Sequence, residues 1–119
     1  MVIELDFPPS DLFPNRAKGR HWAALHAVKT RYRETSAWLA KHQIRSWDPP
    51  EGDIRLKLIF QMPDKRMRDA DNCLAAAKAA LDGLADALQV NDRQFQPIVI
   101  HRILGNKPGK LVVEIDAVD

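Results

Sequence analysis

Three aspartates carry the side chains in this sequence that are best suited to metal chemistry. Asp69 and Asp71 lie between a strand-like stretch and a helix-like one, and Asp92 follows just past the end of that helix. Carboxylate oxygens are the ligands that a hard cation such as Mg²⁺ takes, and the ion then keeps several waters. If the carboxylates bind a cation among the neighbouring arginines, the sequence indicates an enzyme that acts on phosphates.

Each aspartate also has a simpler explanation. An aspartate at a helix N-terminus caps free N–H groups and suits the helix dipole, which explains Asp69 and Asp71 without a metal. Asp92, beside Asn91, is explained as a turn former. A helix of some 18 residues is about 27 Å long, so spacing alone does not bring Asp92 back to Asp71. Both explanations stay open at this point.

Lys78 is the candidate cationic partner of these carboxylates. It is the only basic residue between Asp71 and Asp92. It lies almost two helical turns after Asp71, so the two side chains share a helix face. Its ammonium group could neutralise a phosphate or hold a carboxylate. The alternative is a lysine that snorkels at the edge of the core.

Basic residues are grouped around this acidic centre. The stretch between Arg16 and Arg33 contains no acid, and a second basic group immediately precedes Asp69. The members of the two groups are Arg16, Lys18, Arg20, Lys29, Arg31, Arg33, Lys65, Arg66 and Arg68. This pattern is typical of polyanion binding, although scattered charge on a solvated surface would also produce it.

The elements that must position these residues follow the order β-α-β-α-β-β. Alternating apolar residues predict strands over 2–7 and 54–62, and three- and four-residue spacing predicts helices over 21–43 and 71–89. The segments 98–104 and 110–117 are predicted to pair as a hairpin around 105–109. A mixed sheet of about four strands with two helices on one face would bury these stripes, so we predict an α+β fold.

The composition is that of one domain over residues 1–119. Hydrophobic residues make up 45% and charged residues 29% of the chain, and the net charge is +2. The single cysteine, Cys73, excludes an internal disulfide and fits a reducing compartment. There is no apolar run of about 18 residues, and the N-terminus carries acids where a signal peptide carries bases. We therefore expect a cytoplasmic protein with no membrane partner.

Several of these segments together resemble the RusA family of Holliday junction resolvases. The run from Met62 to Asn72 with its Arg-Asp-x-Asp-Asn core, the helix with Lys78 and Asp82, and the later Asn91-Asp92 are similar to that family, as is the early Phe-Pro-Pro-Ser from Phe7. The family consists of small dimeric endodeoxyribonucleases often carried by phages and prophages. Length and element order match too, so the resemblance spans nearly the whole chain.

The resemblance implies that Asp69, Asp71 and Asp92 are catalytic carboxylates that bind Mg²⁺, with Mn²⁺ as a substitute. The family's catalytic lysine falls four residues after the second aspartate, where this chain has Ala75. Lys78, one turn further along the same face, is the candidate replacement.

The activity implied is Mg²⁺-dependent, structure-selective hydrolysis of DNA phosphodiesters that resolves four-way junctions during recombination and repair. A homodimer would place one acidic site on each of two equivalent strands. Seven basic residues are singled out as contacts to the phosphates of branched DNA: Arg16, Lys18, Arg20, Arg31, Lys65, Arg66 and Arg68.

Two other classes of function remain open. The replacement of the family's lysine by Ala75 favours a DNA-binding protein of the same fold that is weakly active or does not cut. A structural or adaptor domain, whose aspartates are only caps, is the third possibility.

Overall fold

A four-stranded mixed sheet forms the base of the protein in a computed structural model that describes residues 1–118. The strands are β1 (Val2–Asp6), β2 (Ile54–Met62), β3 (Phe95–Leu104) and β4 (Lys110–Ala117), in the order β1-β4-β2-β3. Strand β2 pairs in parallel with β3 and antiparallel with β4, which pairs antiparallel with β1. Every second residue of β2 is buried, because one face of the sheet is covered by helices. The predicted α+β class is confirmed.

The predicted hairpin of β3 and β4 is wrong. The two strands lie on opposite sides of β2, so the connection 105–109 crosses the end of that strand. Space is short at this crossing, since a Cβ atom on Gly109 would lie 2.9 Å from the carbonyl oxygen of Gln61. Gly109 also has a φ of 76°, which favours glycine. The glycine signal therefore marks a close crossing rather than a hairpin.

The helices are α1 (Pro14–Ala17), α2 (Trp22–Gln43), α3 (Ala70–Ala76) and α4 (Lys78–Leu88), with short 3-10 turns at Ser10–Leu12 and Asp92–Gln94. The segment 8–20 between β1 and α2, for which no element is predicted, therefore contains helical turns. The helix predicted over 71–89 is divided at Ala77, whose N–H group is shared between the carbonyl groups of Cys73 and Leu74. A shared bond of this kind tightens a helix end and here starts a new helix at Lys78.

Helix α2 packs closely against α4 through small residues. A Cβ atom on Gly83 would lie 2.3 Å from the carbonyl oxygen of Arg33, so only glycine permits this approach. On α2 the buried positions are Tyr32, Ser36 and Ala40. The other members of the stripe that the three- and four-residue spacing predicts are only half-buried: Leu25, Val28, Thr35 and Leu39. The bulkier residues of that stripe flank the contact because close packing requires small side chains at its centre.

Helix α2 is also fixed to the first strand. The hydroxyl group of Tyr32 donates to the carbonyl oxygen of Asp6 at 2.7 Å. The side chain of Gln43 accepts from the N–H group of Glu4 at 2.8 Å and donates to the same residue's carbonyl oxygen at 2.7 Å. Within residues 1–118 no helix is both long enough and apolar enough to cross a membrane.

Candidate functional site

Asp69 and Asp71 lie where the chain leaves the sheet and enters α3. Asp69 occupies the N-cap position of α3, but its side chain makes no capping hydrogen bond. Asp71 lies in the first turn, and both side chains are exposed. Neither carboxylate forms a salt bridge with any residue in 1–118. Capping through a side-chain hydrogen bond therefore does not explain Asp69, and both carboxylates are available to a ligand.

Arg68 holds the loop before these aspartates, which changes its predicted role. Its guanidinium group lies 5.4 Å and 5.8 Å from the ring centroids of Phe7 and Phe13. It also donates to both carboxylate oxygens of Asp64 at 2.9 Å and 3.1 Å, which lowers the pKa of that carboxyl group. Only 12% of the Arg68 side chain is exposed. Arg68 is a structural residue in this arrangement rather than a free phosphate contact.

The two basic segments of the sequence meet beside Asp69. A cavity of about 370 Å³ is lined by Arg16 from α1 and by Arg66 from the loop, together with Asp69 and Asn72. Two arginines beside an exposed carboxylate suit a phosphate that is held while a neighbouring group acts on it.

The other predicted DNA contacts are more scattered. Lys18 and Lys65 are exposed, and Arg20 pairs with Asp11 at 2.9 Å. Arg31 lies beside Asp6 on a separate part of the surface.

A larger groove of about 720 Å³ runs between α2 and the α3–α4 pair. We call its α2 side the basic wall, formed by His26, Lys29 and Arg33. We call the opposite side the acidic wall, formed by Asp71, Lys78 and Asp82. The floor is apolar and consists mainly of Leu12, Leu74, Ala75, Ala76 and Ala79.

Lys29 and Arg33 belong to the basic group that the sequence analysis associates with polyanion binding, but none of the three basic-wall residues is among the seven contacts singled out there. Their spacing of three and four residues places them on one helix face, and that spacing was the available signal.

The ammonium group of Lys78 lies between two carboxylates. It donates to Asp82 at 2.6 Å and to Asp92 at 2.9 Å. These bonds raise the pKa of Lys78, and the bond from Lys78 lowers the pKa of Asp92. Lys78 therefore stays cationic and Asp92 anionic around neutral pH. The fold brings Asp92 to Lys78, and Lys78 shares the groove with Asp71.

The turn at Asp92 is held by its neighbours. The side chain of Asn91 accepts from the N–H group of Arg93 at 2.9 Å, and the side chain of Gln94 accepts from the N–H group of Asn91 at 2.9 Å. Gln94 also donates to the carbonyl oxygens of Pro50 and Gly52. Asn91 and Gln94 thus form the capping box that stabilises the turn. The carboxylate of Asp92 is left to pair with Lys78.

The carboxylates have the oxygen donors that Mg²⁺ takes, but they are divided between sites. Asp69 lies in the smaller cavity, Asp71 in the groove, and Asp92 at the salt bridge with Lys78. Among residues 1–118 no three Asp, Glu, His or Cys side chains are grouped so that they could hold one ion. The donor chemistry therefore fits the metal, and one ion held by all three carboxylates would require their side chains to come together from these positions.

Comparison with known proteins gives a family match and one relative. The model of the family described as endodeoxyribonuclease RusA matches residues 13–116, which is most of the chain. An uncharacterised protein of Xylella fastidiosa (strain Temecula1 / ATCC 700964) is 30% identical over 123 residues. That alignment covers 98% of this chain and 76% of the relative.

Proposed function

This chain belongs to the RusA endodeoxyribonuclease family, and we propose that it resolves four-way DNA junctions by hydrolysing phosphodiester bonds. The observation that carries the proposal is the groove, in which a basic wall faces Asp71, Lys78 and Asp82. A backbone phosphate between such walls would meet cations that bind it and carboxylates that can act on it.

The proposed cofactor is Mg²⁺, with Mn²⁺ as a substitute, held by Asp69, Asp71 and Asp92. When bound, the metal would act as a Lewis acid on the phosphate and lower the pKa of a bound water. Because Asp92 pairs with Lys78, binding through Asp92 has to compete with the ammonium group.

The residues of the chain itself have separate roles in this proposal. Arg16 and Arg66 bind a phosphate beside Asp69, as guanidinium groups do in bidentate contacts. Lys78 is protonated at neutral pH, so it suits stabilisation of negative charge on the phosphate or proton donation to the leaving oxygen. It does not suit the role of a base.

The proposed partner chain is a second copy, paired along β3. This ten-residue strand lies at one edge of the sheet, and its apolar side chains are exposed at Ile98, Val99, Ile103 and Leu104. At the other edge of the sheet, the side chain of Gln43 occupies the backbone N–H and carbonyl groups of Glu4 in β1. An apolar edge strand whose backbone groups are open is a template for pairing with a strand of another chain.

We expect the parent chain to sediment as a dimer and Ile103→Lys as a monomer. A parent monomer would exclude this surface.

The function is tested by incubating the parent chain with a synthetic four-way junction and with linear duplex of the same arm sequence. We expect paired nicks in opposite strands of the junction with Mg²⁺, none with EDTA, and little cutting of the duplex. Equal cutting of both DNAs would exclude structure selectivity, and no cutting with Mg²⁺ or Mn²⁺ would exclude the enzyme.

A second candidate is a branched-DNA-binding protein that is weakly active or does not cut. The presence of Ala75 on the groove floor, at the position of the family's lysine, favours it. Junction binding without nicked product in the same experiment would support this candidate.

A further inference from the structure

Trp22 is the most exposed of the large apolar side chains in residues 1–118. It is the first residue of α2, and 73% of it is accessible to solvent. Its indole ring lies 6.3 Å, centroid to centroid, from the imidazole of His21, with an interplanar angle of 19°. The imidazole of His26 lies 6.3 Å away on an edge-to-face arrangement. The indole is thus flanked by aromatic neighbours while most of its surface stays open.

Trp22 continues the basic wall of the groove by one turn. Trp22, His26, Lys29 and Arg33 are separated by four, three and four residues, which places them on one face of α2. The last three line the groove opposite Asp71 and Lys78. At about 1.5 Å per residue, this row is about 16 Å long. A DNA strand whose phosphates lie along the basic wall would contact the indole of Trp22 at the N-terminal end of α2.

The charge around Trp22 favours an anionic partner. The stretch from Arg16 to Arg33 contains six arginines and lysines and no acid. A single-stranded nucleic acid combines phosphates with flat apolar bases, and proteins bind it with cations along the backbone and aromatic rings against the bases. Trp22 and the neighbouring basic residues supply both kinds of contact, an aromatic ring for a base and cations for the phosphates.

Trp38 provides a matched comparison on the same helix. It is 60% exposed, and its ring lies 4.1 Å from the imidazole of His42. It is separated from Trp22 by about 160° around the helix axis at 3.6 residues per turn. Trp38 therefore lies away from the groove, although it has the same side chain as Trp22 and, like Trp22, a histidine neighbour.

We propose that Trp22 is a base-stacking residue that receives an unpaired or unstacked base at the branch point of the DNA. This inference rests on the proposed function, because it assigns one contact to the same branched substrate. Trp22 then contributes to the preference for branched over linear DNA, because the bases of an intact duplex are stacked on each other.

The test measures DNA binding with Ca²⁺ in place of Mg²⁺, using junctions that carry the fluorescent base 2-aminopurine at the branch point or within an arm. We expect Trp22→Ala to weaken junction binding about 5- to 150-fold, the range for loss of one stacked base. Linear duplex binding should change little. Trp22→Phe should keep most of the affinity, and Trp38→Ala should bind like the parent. The parent should quench 2-aminopurine at the branch point only, and Trp22→Ala should not.

Three results would overturn the inference. If the parent binds and cuts junctions and Trp22→Ala binds them equally well, the stacking role fails while the proposed function stands. If the parent neither binds nor cuts them, both fail. If Trp22→Ala converts a dimeric parent to a monomer, the indole is a contact between copies. Circular dichroism of each variant establishes that it is folded.

Discussion

The two walls of the groove differ in how their charges are paired. On the acidic wall Lys78 joins Asp82 and Asp92, while Asp71 forms no salt bridge within residues 1–118. On the basic wall Lys29 forms no salt bridge within the same residues, whereas Arg33 donates to both carboxylate oxygens of Asp86 at 2.8 Å and 2.9 Å. The acidic wall therefore has one open charge, Asp71, and an ion pair between two of its own members, whereas the basic wall has one open charge, Lys29, and one charge, Arg33, that is paired with a residue outside the groove. In the proposed function the open charges act on DNA, whereas the paired ones hold the surrounding elements in place.

In the proposed function the two walls also differ in role, because the residues that bind DNA and those that act in its cleavage lie on opposite sides of the groove. In the proposed complex the unpaired Lys29 on α2 binds a phosphate and takes no part in the reaction, so its loss should weaken affinity and leave the rate at saturation unchanged. Asp71 on α3 and the neighbouring Lys78 are the groups proposed to act on a bound phosphate, so their loss should lower the rate. The following predictions compare the walls from the largest expected effect to the smallest.

Asp71→Asn should give the largest effect. Loss of a carboxylate that acts in the reaction removes several kcal/mol of transition-state stabilisation, so cleavage should fall about 10²–10³-fold. Junction binding should be kept, and the exposed carboxylate's effect on the helix dipole is worth only about 0.3–1 kcal/mol of stability. Single-turnover cleavage, junction binding and thermal unfolding of this variant check these expectations. If the variant cuts as fast as the parent, Asp71 is not part of the reaction.

Lys78→Met should give the next largest effect. The ammonium group positions Asp82 and Asp92, and loss of a group that orients ligands typically costs about 10- to 100-fold in activity. Lys78→Arg, which keeps the charge, is the control and should retain more activity than Lys78→Met. Equal rates for both variants would show that the charge at this position has no role in cleavage.

Lys29→Ala should act on binding alone. Loss of one phosphate contact reduces the slope of log affinity against log salt by about one. Junction titrations at several salt concentrations measure this slope, and cleavage at saturating enzyme should match the parent. Lys41→Ala is the control, because Lys41 lies on the same helix but does not line the groove. An equal change of slope in both variants would show that Lys29 contributes no more to DNA binding than a lysine outside the groove.

The smallest effect concerns pH. The bond from Lys78 lowers the pKa of Asp92 below its ordinary value of about 3.9. The pair therefore stabilises the fold above that ordinary pKa, and this contribution is lost as the pH falls through the lowered pKa. It is small, typically about 0.2–1 kcal/mol for exposed pairs, since 46% of the Asp92 side chain is accessible.

Carboxyl titration by NMR tests this pairing. The midpoint for Asp92 should lie below the ordinary range in the parent and return toward it in Lys78→Met. Identical midpoints in the two proteins would contradict the salt bridge.

The local patterns predicted the elements well because each depends on neighbouring residues. The alternation over 54–62 is β2, and the periodic leucines of the helix predicted over 71–89 are buried at Leu81, Leu84 and Leu88. The pairing of strands was predicted less well. The glycines of 105–109 indicate a tight connection, but they do not reveal that β2 lies between β3 and β4. Strand neighbours depend on contacts between distant segments, which a local pattern does not contain.

The sequence by itself determined the element order, the family resemblance and the types of side chain at the site, because periodicity, motif and chemistry are local properties. The tertiary structure decided how those side chains are used. It placed Arg68 against Phe7 and Phe13. It also joined Lys78, the first residue of α4, to Asp92, which follows that helix. It also aligned Lys29 and Arg33 with Asp71 across one groove. The last of these placements depends on the packing of α2 on α4 at Gly83, a contact between residues far apart in the chain.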